Sequence, residues 1–218
     1  MEKLHMSRRT KMTEDISKMM ENPKQIRNLA LIGHIDHGKT TLSDSLLAEA
    51  GLLAESLAGE ARVLDYLEEE QRRGITIKSA NISLYYEHSL EKSLPFLINL
   101  IDTPGHLDFS GKVTRALRMA DGVIVIVDSV EEVSSQTETV VRQALEEAVR
   151  PILFINKIDR LFKELKLDME EIKLKFSRII QDFNKLIYMY GDELAKSKCP
   201  GVSIKFIKNG SDFSKLCS

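Results

Sequence analysis

Residues 33–40 read Gly-His-Ile-Asp-His-Gly-Lys-Thr, and this stretch decides the fold. It satisfies the pattern GxxxxGK[ST], in which a glycine-bounded loop wraps phosphate oxygens. Before it, Arg27-Asn28-Leu29-Ala30-Leu31-Ile32 is a short apolar run that predicts a strand. After it, Thr41-Leu42-Ser43-Asp44-Ser45-Leu46-Leu47 places leucines at helical spacing. A glycine turn before a helix is sometimes only structural; strand, loop and helix in this order select the phosphate reading. Small residues let successive backbone N–H groups converge on an anion, and the helix presents its positive end to the same point. His34, Ile35, Asp36, His37 and Gly38 would line that cradle, with Thr41 just inside the helix. Lys39 would reach the β- and γ-phosphates, and the Thr40 hydroxyl would ligate Mg²⁺.

Downstream, residues 51–74 are glycine-punctuated and charged, ending Glu68-Glu69-Glu70-Gln71-Arg72-Arg73-Gly74. Such a segment buries little and is expected to move unless a ligand fastens it. Ile75–Tyr86 and Phe96–Ile101, joined by a polar turn, predict an antiparallel pair, and 108–120 a helix. Gly122–Asp128 reads as a buried strand, 136–148 as a helix and Pro151–Asn156 as another apolar strand. Residues 163–190 carry a long amphipathic pattern, one or two helices, and Val202–Ile207 a last strand. Continuous apolar strands alternating with helices predict a mostly parallel sheet covered on both faces. The expected class is α/β: a P-loop NTPase of three layers, α/β/α, with one antiparallel edge strand. No GxGxxG opens the first unit, which disfavours a dinucleotide-binding Rossmann domain.

Two further motifs fall at strand ends. Asp102-Thr103-Pro104-Gly105-His106 follows an apolar strand, where an aspartate can hold Mg²⁺ through water and Gly105 can offer its N–H to a γ-phosphate. Asn156-Lys157-Ile158-Asp159 follows another. The Asp159 carboxylate can accept from guanine N1–H and N2–H₂, a pair of donors adenine lacks. Asn156 would tie the base loop to the phosphate loop, and the Lys157 stem would lie along the base.

The 218 residues suffice for one full core with a small appendage. Residues 1–24 are expected to form an arm with a short helix over 12–21, starting near Thr13 or Asp15, and 25–218 the nucleotide-binding domain, truncated or divergent after 190. No 18-residue apolar run could span a bilayer, and the N-terminus lacks a signal-peptide core. Cys199 and Cys217 form no metal-ligand pattern and read as free thiols of an intracellular protein. Net charge is −2, yet residues 1–27 hold seven Lys/Arg against four acids. So few charges are more consistent with solvation than with an RNA-binding arm.

With these motifs together, the chain resembles the translational GTPases, and among them the elongation factor 2 group of archaea and eukaryotes. The resemblance spans residues 12–190. It rests on Ala30–Leu47, on Leu64-Asp65-Tyr66-Leu67-Glu68-Glu69-Glu70-Gln71-Arg72-Arg73-Gly74-Ile75-Thr76-Ile77, on Leu100–Phe109 and on Asn156–Asp159. It implies GTP or GDP and Mg²⁺ as cofactors, with Arg73–Thr76 as the first switch, Thr76 as a Mg²⁺ ligand in the GTP state, and Asp102–His106 as the start of the second switch. His106 would position or polarise the attacking water, completing a catalytic set with Lys39 and Thr76. Ile35 and Ile75 match the apolar pair that holds this histidine back until activation. The implied setting is cytoplasmic and monomeric, with the ribosome as partner through its large-subunit factor-binding RNA and stalk, and no membrane.

Three departures stand out. The group's Val-Glu-Gly-Val and Pro-Gln-Thr-Glu are here Val130-Glu131-Glu132-Val133 and Ser135-Gln136-Thr137-Glu138, on the helix side and away from the chemistry. Its closing Ser-Ala pair has no clear copy; Asn209-Gly210-Ser211 replaces it, or the chain diverges there. Its later domains are not in this sequence. The expected activity is GTP hydrolysis by one domain, driving tRNA–mRNA translocation in an intact factor. The alternatives are a ribosome-biogenesis or spliceosomal GTPase of the same plan, or a non-catalytic nucleotide-binding fragment.

Overall fold

β-Branched residues fill Gly122–Asp128, and side chains stiff at χ1 suit a pleated surface buried on both faces. This run is β4 of a five-stranded sheet whose other members are β1 (Ile26–Gly33), β2 (Ala80–Glu87), β3 (Pro95–Asp102) and β5 (Arg150–Asn156). Among the described residues from β1 onward the α-helices are α1 (Lys39–Glu49), α2 (Ser110–Leu117), α3 (Ser135–Glu146), α4 (Asp159–Lys163) and α5 (Met169–Tyr190). This computed structural model describes residues 16–17, 19–53, 64, 76, 79–87, 95–105 and 110–191.

Strand order is β2-β3-β1-β4-β5. β1 runs parallel to β3 and β4, and β4 parallel to β5, whereas β2 is antiparallel to β3 with Ala80 opposite Asp102. The expected mostly parallel sheet with one antiparallel edge strand is therefore present. Helices lie on both faces. Ala30, Ile32, Val123, Val125 and Val127 point to one side, where Val113, Leu117, Val141, Leu145 and the apolar face of α5 meet them. Leu31, Leu100 and Ile126 point to the other, against Leu47 of α1.

Local chemistry sets the helix ends. Ser134 caps α3 by accepting from Thr137 N–H, and Asp168 with Glu171 closes a reciprocal capping box at α5. Ile172, Phe176, Ile179, Ile180, Phe183, Leu186 and Ile187 form one buried stripe on α5. Burial of each such side chain stabilises by about 1.5–3 kcal/mol. Truncating Phe183 to alanine would cost about 3–5 kcal/mol through the cavity left behind.

Several boundaries differ from those expected. β2 begins at Ala80 rather than Ile75, and α2 ends at Leu117 rather than at 120. The pattern over 163–190 resolves into two helices, the first starting at Asp159. In the N-terminal arm, Met20 N–H donates to Ile16 O at 3.0 Å, one helical bond. The strand expected at 202–207, and most of the first switch, lie outside the described residues. Among the described residues no helix is long and apolar enough to cross a membrane.

Candidate nucleotide-binding site

The phosphate loop leaves the carboxyl end of β1 and enters α1 at Lys39. Gly38 takes φ +94° there, a left-handed conformation that side-chain-bearing residues rarely adopt. Its lack of a side chain has a second cause: a Cβ at 38 would stand 2.3 Å from Asn156 Nδ2. Asp36 also turns left-handed, at φ 59°, a conformation aspartate tolerates better than most residues. The Lys39 ammonium folds back over the loop and donates to His34 O at 2.6 Å and Gly33 O at 3.1 Å. A Cβ on Gly105 would lie 2.4 Å from Lys39 Nζ and 3.1 Å from Ile35 N. The turn after β3 thus closes tightly onto the phosphate loop, and a side chain at 105 would displace the Lys39 ammonium and press on the backbone of His34 and Ile35.

Three oxygens meet at the start of α1. Thr40 Oγ1 donates to Asp102 Oδ2 at 3.2 Å and lies 3.1 Å from Thr76 Oγ1. Thr103 Oγ1 donates to Leu31 O at 2.5 Å, fixing the turn that carries Asp102. Asp102, Thr103 and Thr76 are all buried. Two hydroxyls and a carboxylate form a hard oxygen set that suits Mg²⁺, an ion usually held by one or two protein carboxylates plus phosphate oxygens. Among the described residues no three His, Cys, Asp or Glu converge, so the set also fits a cation shared with a phosphate better than a self-sufficient metal cage.

The base side is assembled at the ends of β4 and β5. Asn156 Nδ2 donates to His37 O at 2.9 Å, joining the two loops directly. Lys157 adopts φ 57°, and its ammonium turns to Asp128 Oδ2 at 3.0 Å. Arg160 Nη1 reaches the same oxygen at 2.9 Å. Burial pushes the Asp128 carboxyl upward, but the Val130 N–H, Lys157 and Arg160 outweigh it and hold the group below the usual carboxylate range. Asp159 opens α4 with its side chain 61% exposed, paired with Lys163 at 3.3 Å.

His37 lies between the two sides. Its ring is fully buried, with Nδ1 3.1 Å from Ile126 O and 3.3 Å from Asp128 N, and Nε2 3.1 Å from Glu131 Oε2. Burial lowers its pKa below 6.5 against the raising influence of Ile126 O and Glu131.

The geometry brings Lys39, Thr40, Thr76, Asp102 and Gly105 to one point and ties it to Asn156. Thr41 follows on α1, and His106 and Ile75 lie outside the described residues. Asp128, Glu131 and Arg160 were not foreseen as part of the site. Glu131 meets His37 across 94 positions, and Arg160 meets Asp128 across 32, so no local spacing announces either contact.

A loop that folds over a helix start, with an aspartate closing from the next strand end, makes this a P-loop nucleotide-binding domain. A family model described as the elongation factor Tu GTP binding domain matches residues 24–211, and the chain belongs to that family. It is similar to elongation factor 2 of Aeropyrum pernix, 61% identical over 193 residues, which are 88% of this chain and 26% of that protein. Elongation factor 2 of Staphylothermus marinus is 60% identical over 190 residues, 87% of this chain and 25% of the relative. The Thermococcus sibiricus protein is 54% identical over 193 residues, again 88% and 26%. The chain thus spans about a quarter of the length of the curated relatives it matches. Its family makes it a GTP-binding and GTP-hydrolysing domain of the translational type, with GTP or GDP and Mg²⁺ as cofactors.

Proposed function

We propose that this domain is the nucleotide-operated part of a longer factor of the elongation factor 2 type, which uses GTP hydrolysis to drive tRNA–mRNA translocation on the ribosome. Residues 1–24 would be an arm and 25–218 the GTP-binding domain. The whole factor would work in the cytoplasm as a monomer, engaging the large ribosomal subunit at its factor-binding RNA and stalk.

The observation that carries the reading is the convergence of Thr40 Oγ1 on Asp102 Oδ2 and Thr76 Oγ1 beside the Lys39 ammonium. Lys39 would exchange its two carbonyl partners for β- and γ-phosphate oxygens, a charge-assisted contact in a water-poor site. Backbone N–H groups of His34 to Thr41 would bind the remaining phosphate oxygens, at the positive end of α1. Bound Mg²⁺ would neutralise developing charge on the β- and γ-phosphates, held by Thr40, Thr76 and Asp102. Thr76 stands between β2 and the phosphate loop, so the same hydroxyl would report whether a triphosphate is present. Gly105 would offer its N–H to the γ-phosphate. His106 would hold the attacking water, a contribution that depends on geometry supplied by a partner. On the other side, Asp159 would accept the guanine N1–H and N2–H₂ donors, and the Lys157 stem would flank the base.

Calorimetric titration of the chain with GTP, GDP and ATP in Mg²⁺ tests this reading. Both guanine nucleotides should bind far more tightly than ATP. Equal affinity for ATP and GTP, or no heat with either guanine nucleotide, would overturn it.

A further inference from the structure

His37 of the phosphate loop bonds to the loop itself, to the end of β4 and to Asn156 at the end of β5. Its backbone N–H reaches His34 O at 3.4 Å, the same carbonyl that accepts from Lys39 Nζ. Its carbonyl accepts from Asn156 Nδ2. Its ring meets the His34 ring edge-on at 5.2 Å between centroids. The ring is fully buried and bonded at both nitrogens.

Partner chemistry decides the bonding. An ionised carboxylate only accepts, so Glu131 requires a proton on Nε2. Nδ1 faces both a carbonyl, Ile126 O, and an N–H, that of Asp128. The neutral ring accepts from Asp128 N–H and the cationic ring donates to Ile126 O. Glu131 holds the ring in both states, and its own side chain is 48% exposed, so the clamp can be altered from outside without opening the core.

We propose that the His37 side chain, clamped by Glu131 against the end of β4, is a positioning residue that fixes the carbonyl anchoring Asn156 and so couples the phosphate loop to the base loop. The coupling rests on the reading of these loops as a guanine-nucleotide site. The β4 end is the shared support. Asp128 offers its N–H to His37 while its carboxylate holds Lys157 and Arg160 of the base loop. A shift of the imidazole therefore reaches the base loop by two routes, through Asn156 and through Asp128.

The test is the rate of release of a fluorescent GDP analogue from the whole chain, followed by stopped flow. Glu131→Ala should speed release about 3- to 10-fold, the range of one partly solvated hydrogen bond. Glu131→Gln keeps an acceptor for Nε2–H and should restore release to within about two-fold of the parent. His37→Phe keeps an aromatic ring without either nitrogen and should release at least as fast as Glu131→Ala. The discriminating measurement is a double-mutant cycle. Once Asn156→Ala has cut the bond to His37 O, adding Glu131→Ala should accelerate release clearly less than it does in the parent. Fully multiplicative effects, or release from Glu131→Ala at the parent rate, would overturn the coupling. A merely structural role would lower the melting temperature of both Glu131 variants without this pattern in the rates, and would overturn it equally. Failure of the parent to bind GDP is a separate outcome that removes the guanine-site reading itself.

Discussion

The phosphate side and the base side of the site are built on opposite plans. At the phosphate side the side chains themselves are buried: Thr76 and Asp102 both meet Thr40 Oγ1, and Lys39 donates to loop carbonyls. At the base side Asp159, the carboxylate proposed to recognise the base, stands in solvent, and burial falls instead on Asp128, which holds Lys157 and Arg160. The phosphate groups must meet a dense negative charge, so positive and polar groups are pre-organised where solvent cannot screen them. The base is flat and neutral, and selecting it requires one correctly placed acceptor more than a strong field. Affinity should therefore respond most to the phosphate side, and choice of base to the other.

The largest expected effect tests this division directly. Lys39→Ala removes a buried cation from a site that binds polyphosphate and should weaken GDP and GTP by about 2–5 kcal/mol. Calorimetry would check it, and an unchanged dissociation constant would remove the phosphate role from residues 33–40. Asp159→Asn should cost about 1.5–3 kcal/mol in GTP affinity, the scale of a hydrogen bond to a charged group. The same change should improve xanthosine nucleotides, which carry an oxygen where guanine has N2–H₂. Competition between the two nucleotides is the measurement; a uniform loss for both would make Asp159 a support and not a selector.

Acid sharpens the comparison next. His37 has a folded-state pKa below 6.5, so between that lowered value and 6.5 the unfolded chain binds more protons. Its contribution to stability is complete above pH 6.5 and is lost as pH falls through the folded value. Asp128 is held below its ordinary 3.8, so its contribution is lost only as pH falls below 3.8. Melting temperature measured from pH 7.5 to 3 should therefore decline in two windows. His37→Phe should flatten the upper one and leave the lower. Loss of both windows in that variant would mean that the two groups are not separate supports.

The smallest effect lies beside the site. Glu132 sits at φ 60°, where the related group carries glycine, and its carboxylate meets Lys175 at 2.5 Å and Arg178 at 3.9 Å. A left-handed conformation costs a side-chain-bearing residue about 1–2 kcal/mol. An ion pair near the surface returns about 0.2–1 kcal/mol. Glu132→Gly relieves the first and forfeits the second, a net of about 0–1.8 kcal/mol, so its melting temperature should rise by no more than about 4–7 °C. A large drop would show the ion pair to be central to the loop that carries Glu131.

Residues 33–40 were legible because the whole signal is local: eight positions, a strand before and a helix after. β4 was legible because it is buried on both faces and reads as one unbroken apolar run. Thr76 misleads, since a β-branched residue in an apolar run reads as strand, yet it precedes β2 and lies against Thr40. There a tertiary contact overrides local preference. The start of α4 is hidden because its N-cap is Ile158, which makes no side-chain cap, so no capping residue marks Asp159 as the opening of a helix. The supports were illegible for a different reason. Asp128, Glu131 and His37 act through contacts across the sheet, and their residue types alone are equally compatible with an ordinary turn.

The one reversed strand has a geometric consequence. In a wholly parallel sheet, every loop that precedes a strand opens at the rim opposite to the loops that follow strands. β2 spans eight residues, and at about 3.3 Å per residue a parallel β2 would carry its leading end roughly 25 Å from the end of β3. Because β2 runs backwards, with Ala80 opposite Asp102, its entrance shares a rim with the exits of β1 and β3. Thr76, four residues upstream of Ala80, thereby comes within 3.1 Å of Thr40. Chain direction alone turns what would be a far-end linker into a neighbour of the phosphate loop.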